Sequence, residues 1–153
     1  MKRNLRDTLL TGLLLVGAAG MAGGFAGCTS PYQTAATDVN PARWEQTAEL
    51  RLENADTVTL RDAALFVRYD ERFAEDTLTV RIAAIAPDSL RFEERFLLAI
   101  PRTKNPAALT GEALIPYRRR IRLASAGEYR WCVTPVRSIR GVEAVGLRLS
   151  KSN

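Results

Sequence analysis

From Thr47 onward, apolar and polar residues alternate with a period of two, the spacing of half-buried strands and not of helices. Glu49-Leu50-Arg51-Leu52-Glu53 alternates cleanly, and Asn54-Ala55-Asp56 behind it is a turn signal. Asp62 to Tyr69 sets Leu65, Val67 and Tyr69 on one face and Phe66 on the other. After the acidic loop Asp70 to Asp76, Leu78 to Ile82 alternates again until Pro87-Asp88-Ser89 ends it. Leu90 to Glu93 resumes the pattern. Arg95 to Ile100 is more continuously apolar, as a central strand is expected to be. Arg119 to Leu123, Tyr129 to Val133 and Val142 to Leu149 complete the series.

Seven or eight such segments and no long helical pattern predict an all-β domain, an antiparallel, jelly-roll-like β-sandwich. Trp44 marks the start of folded material, giving a domain over 44–153. The stretch before it, Thr29 to Pro41, is polar with a proline near each end and reads as part of a flexible tether over 28–43. Pro101 to Glu112 is the longest irregular segment inside the domain, and binding sites favour such loops.

Residues 1–27 follow a different pattern. A basic start (Lys2, Arg3, Arg6) leads into the apolar run Leu9 to Val16 and then into small residues ending at Phe25-Ala26-Gly27-Cys28. Basic, then apolar, then small is the order of a secretory signal peptide. The last four residues resemble the lipobox of bacterial lipoproteins. That resemblance implies cleavage before Cys28, acylation of its sulfur and further acyl chains on the new N-terminus. A plain cleaved signal and an uncleaved membrane helix are the alternatives. About 20 apolar residues span a bilayer, and Leu9 to Gly27 nearly suffices. The six glycines between Thr8 and Cys28 weaken such a helix by roughly 1 kcal/mol each.

Loss of residues 1–27 leaves 126 residues, enough for one domain with its own core. It also lowers Lys plus Arg from 22 to 19 and Asp plus Glu from 17 to 16, so the net charge falls from +5 to +3. Nothing in that balance calls for nucleic acid. Charge is uneven along the mature chain: residues 28–100 carry 8 basic and 13 acidic side chains, residues 101–153 carry 11 and 3. Arg118, Arg120 and Arg122 are expected on one strand face. They form either one side of ordinary cross-strand pairs or an interaction patch for anionic envelope polymer, lipid headgroup or partner protein.

Catalytic groups are sparse. The chain has no histidine, which removes His-dependent triads and the commonest general base at neutral pH. If Cys28 carries lipid, Cys132 has no intramolecular partner, and its alternating neighbours make it a small buried hydrophobe. Glu93 and Glu94 are neighbours on a strand and point to opposite faces. Asp70-Glu71 and Glu75-Asp76 share a loop, but the glycine and terminal glutamate of a calcium loop are missing. No phosphate-binding glycine loop, Gly-x-Ser-x-Gly elbow or Cys-x-x-Cys occurs. No cofactor, no metal and no enzymatic activity are expected.

In the C-terminal half, Leu114-Ile115-Pro116-Tyr117, Arg119-Arg120-Ile121-Arg122, Gly127-Glu128-Tyr129-Arg130-Trp131 and Gly141 to Leu149 form an ordered series. The series resembles the gliding motility lipoprotein H family, over Cys28 to Lys151. The resemblance implies a lipoprotein held in the outer membrane that supports gliding and secretion machinery through envelope protein partners. Of functional residues, it carries over only Cys28. Cys28-Thr29-Ser30-Pro31-Tyr32 has neither the aspartate after the cysteine nor the acidic cluster that sort the lipoproteins it resembles to the inner membrane or the cell surface, and that resemblance therefore implies an outer-membrane protein facing the periplasm. A membrane-tethered ligand- or glycan-binding sandwich is the alternative, and exposed Trp44, Tyr117 or Trp131 around a concave sheet would favour it.

Overall fold

The computed structural model describes residues 31–101 and 110–153. They form eight strands: β1 (Tyr32–Asp38), β2 (Ala48–Asn54), β3 (Leu60–Asp70), β4 (Thr77–Ile85), β5 (Arg91–Ala99), β6 (Thr110–Arg122), β7 (Gly127–Pro135) and β8 (Val142–Lys151). Every pairing is antiparallel. One sheet has the order β1-β8-β3-β6 and the other β2-β7-β4-β5. Successive strands thus pass from sheet to sheet, apart from the β4–β5 hairpin, and the two sheets close on one another as a jelly roll. The expected antiparallel sandwich is the fold.

Alternation is what builds the core between the layers. Leu50 and Leu52, Leu65 and Val67, Val80 and Ile82, and Leu147 and Leu149 all point inward and are nearly inaccessible to water. Truncating one such leucine to alanine typically costs about 2–5 kcal/mol, because a close-packed interior cannot collapse onto the void. Trp44 is buried beside them, with its indole nitrogen donating to the Gln46 carbonyl at 2.8 Å.

Three expectations need correction. Residues 32–38 are not tether but β1, paired along its whole length with β8. Its side chains are small and polar, so its stability comes from the backbone ladder and not from an apolar stripe. Arg95 to Ile100 is not a central strand: all but Ile100 belong to β5, an edge strand that begins at Arg91, with Leu97 60% exposed. Residues 110–112, the end of the expected irregular segment, are not loop but the start of β6, the edge of the other sheet. An edge strand tolerates Pro116 because its missing N–H has no ladder partner to disappoint.

The topology gives the sandwich two distinct ends. Tyr32 lies opposite Ser150, Ser150 opposite Asp62, and Leu60 opposite Arg122. The first residue of β1, the last turn of β8 and the connections β2–β3, β4–β5 and β6–β7 therefore share one end, called here the terminal end. Asn54 binds this end together, its buried amide donating to the carbonyls of Leu123 at 3.1 Å and Ser125 at 2.9 Å. The connections β1–β2, β3–β4 and β7–β8 form the far end.

Candidate functional site

At the edge shared by β5 and β6 the two sheets part, leaving an open cleft of about 600 Å³. Its walls are apolar, built from Tyr117, Ile121, Tyr129, Trp131 and Leu90, and Arg118 and Arg122 stand among them. Tyr117 packs edge-on against both Phe96 and Trp131, with centroids 5.0 and 6.3 Å apart. The Trp131 indole nitrogen is buried without a protein hydrogen-bond partner.

A clasp closes the cleft toward the far end. Glu94 of β5 accepts from the Tyr117 hydroxyl at 2.6 Å and takes both Arg118 nitrogens, at 2.6 and 3.2 Å. Arg118 also lies over the Phe92 ring, 5.5 Å from its centroid. Burial pushes the Glu94 carboxyl up, but the donors from Arg118 and Tyr117 outweigh it and hold the group below its ordinary range. Burial, and then the Glu94 hydrogen bond, push the Tyr117 phenol well above its ordinary value. Glu94 thus stays ionised and Tyr117 neutral through the physiological range, which suits a structural clasp and not proton transfer.

The arginines expected on one strand face are divided. Opposite Ala64, Ala63 and Arg61 of β3 stand Pro116, Arg118 and Ile121 of β6, so β6 twice supplies an extra residue and bulges. At the second bulge Arg120 adopts a left-handed conformation (φ 53°), and its N–H donates to Asp62 Oδ1 at 2.8 Å. Arg118 and Arg122 consequently line the inter-sheet cleft. Arg120 turns away, beside Arg119 and Lys151, onto a separate shallow cleft over Asp62.

The other singled-out residues also have defined places. Cys28 lies outside the described residues. Cys132 is a free thiol on the outer face of β7, half-buried and not in the core as expected. Glu93 points outward to Arg91 and Arg81 while Glu94 turns to the clasp, so the two carboxylates address opposite faces. In the acidic loop, Asp70 pairs with Arg72 and Glu75 with Arg137. Among the described residues no group of three His, Cys, Asp or Glu could hold a metal ion, and no helix is long and apolar enough to cross a membrane.

Two features escaped sequence reasoning. One is the cleft itself, which joins residues of different sheets. The other is a set of exposed apolar side chains at the terminal end: Val58 (78% exposed) in the β2–β3 connection, Leu90 (71%) in β4–β5, and Phe92 and Tyr32 at the same end on β5 and β1. Val58 and Leu90 each lie just behind a turn signal, Asn54-Ala55-Asp56 and Pro87-Asp88-Ser89, and an apolar residue there is the clue that could have found them. Comparison of the chain with protein-family models gives no match, and comparison with curated proteins gives none either.

Proposed function

We infer that this chain is a non-enzymatic envelope lipoprotein, acylated at Cys28, held at the outer membrane and facing the periplasm. Its sandwich contributes to an assembly through contacts with other envelope proteins, in the manner of the gliding motility lipoprotein H family that its sequence resembles. The observation that carries this reading is the basic–apolar–small order ending in Phe25-Ala26-Gly27-Cys28, only four residues before the first strand. A peptidase needs an extended backbone with small side chains there, and a mature chain beginning at Cys28 retains the whole folded domain.

A second reading, a membrane-tethered ligand-binding module, is favoured by the cleft between β5 and β6. The rings there do not suit a sugar well. Tyr117, Tyr129 and Trp131 are more than nine-tenths buried, Trp44 belongs to the core, and Arg118 covers the Phe92 ring. Sugar stacking needs an open ring face, so burial of these rings supports the protein-contact reading over the glycan one.

Metabolic labelling with a fatty-acid analogue tests the anchor. The wild-type protein is expected to take up label and fractionate with outer membranes, while Cys28→Ser takes up none and leaves that fraction. An unlabelled wild-type protein would overturn the reading. Affinity capture of the lipidated protein from native membranes tests the contact role, and recovery of glycan with no stable protein partner would reverse the ranking.

A further inference from the structure

We propose that the terminal end of the sandwich is a bilayer-contact face: Val58 and Leu90 sit in the headgroup layer, and Arg119, Arg120, Arg122 and Lys151 bind anionic lipid headgroups. The inference rests on the lipid anchor at Cys28 and goes beyond it, since an anchor alone does not fix which surface meets the membrane.

Chain length carries the first part. Four residue steps separate Cys28 from Tyr32, where β1 is already paired with β8. Fully extended, four residues reach roughly 14 Å at most. The interfacial layer of a leaflet is itself about 5–8 Å deep. A domain tied by so short a leash cannot float free, and the end that carries Tyr32 is held against the headgroups.

Side-chain chemistry at that end carries the second part. Of the seven exposed large hydrophobic residues among those described, Val58, Leu90, Phe92 and Tyr32 lie at that end. Arg119, Arg120, Arg122 and Lys151 surround the ends of β6 and β8, and none makes an ion pair among the described residues. Most carboxylates of the same end are occupied by loop amides or by other cations. Asp56 accepts from the Val58 and Thr59 amides and pairs with Arg61. Asp62 accepts from the Arg120 amide, Asp88 from the Leu90 amide and Ser125 hydroxyl, and Glu128 pairs with Arg51. Glu53 is left exposed and unengaged. Positive charge therefore faces outward beside apolar loop tips, the combination that suits an anionic interface.

The test uses the lipidated protein in phosphatidylcholine vesicles, with and without phosphatidylglycerol. A fluorophore is attached at Val58→Cys, Leu90→Cys or, at the far end, Val136→Cys, each in a Cys132→Ala background. Headgroup-bound quencher is expected to quench the first two at least severalfold more than the third. Glutamine at Arg119, Arg120, Arg122 and Lys151 together should remove the added affinity for phosphatidylglycerol, on the order of fivefold per cation. Equal quenching at Val58, Leu90 and Val136 in protein whose Cys28 is acylated by mass spectrometry would overturn the contact face and leave the anchor standing. Absence of acyl chains from Cys28 would overturn both.

Discussion

The two ends of the sandwich differ in how much of their positive charge is paired. At the far end, Arg43 pairs with Glu45, Arg68 with Asp38 and Glu143, Arg72 with Asp70, and Arg137 with Glu75. Arg140 adds to the positive field that holds Asp70 ionised. At the terminal end, Asp56, Asp62 and Asp88 hold backbone amides and Asp56 and Glu128 pair with Arg61 and Arg51, while four further cations without an ion pair among the described residues and two apolar tips face out. The difference teaches where function can reside. Surface ion pairs contribute little stability each, but pairing leaves no net charge for a partner. Cations without an ion pair, at the same end as exposed valine and leucine, do little for the fold and offer much to an anionic surface.

The far end also holds, among the described residues, the glycine where an added Cβ would meet backbone most closely, and that gives the largest expected effect. Gly141 sits at φ +83°, and a Cβ there would lie 2.2 Å from the Phe73 nitrogen. Gly141→Val combines left-handed strain with a backbone clash and should lower unfolding stability by about 3 kcal/mol in a urea titration. A midpoint within error of wild type would mean the far-end loops are not locked as described.

At the terminal end the counterpart is Asn54→Ala. It strips two carbonyls of their donor in a buried corner, and a loss of about 2 kcal/mol is expected in the same titration. Retained stability would show that the end does not depend on that clip.

Acid should separate the ends less than either substitution. Hydrogen bonds from Thr59 and Val58 hold Asp56 at about 2. The Arg120 amide holds Asp62 below its ordinary value, and Arg72 does the same for Asp70. Carboxyls depressed in the folded state favour folding above their unfolded value, near 4, and that contribution fades as pH falls through the folded values. Stability should hold from neutral to about pH 4 and drop toward pH 2. Asp56→Asn at one end and Asp70→Asn at the other should each flatten part of that drop, and a drop unchanged in both would contradict the assignment.

Smallest of all should be the effect on folding of glutamine at Arg119, Arg120, Arg122 and Lys151. Exposed, unpaired cations contribute within about 0.5 kcal/mol, so thermal unfolding should barely move while vesicle affinity falls. A marked loss of stability would mean these residues hold the fold, against the contrast drawn between the ends.

Much of the fold was legible because large apolar residues mark it. Leu50 and Leu52, Leu65 and Val67, and Val145 to Leu149 announce strands by period alone. Strand β1 was not legible, since Gln33, Ala35 and Thr37 are its inward residues and none is large enough to register as apolar. Thr110-Gly111-Glu112 read as loop although β6 begins there, because none of the three carries a large apolar side chain. Strand β5 looked central because the sequence does not say which strands are edges. For the site, the arginines of β6 were visible, but Glu94 comes from the other sheet and the bulges at Tyr117 and Arg120 have no local signature. Burial of Tyr117 and Trp131 depends on how the sheets meet, which pattern alone leaves open.

Hydrogen–deuterium exchange on the lipidated protein, in detergent and on vesicles containing phosphatidylglycerol, tests the contrast between the ends most directly. Amides of residues 55–59 and 86–90 should exchange more slowly on vesicles, while those of 136–141 stay unchanged. Equal protection at both ends, or protection confined to 136–141, would contradict a membrane-facing terminal end.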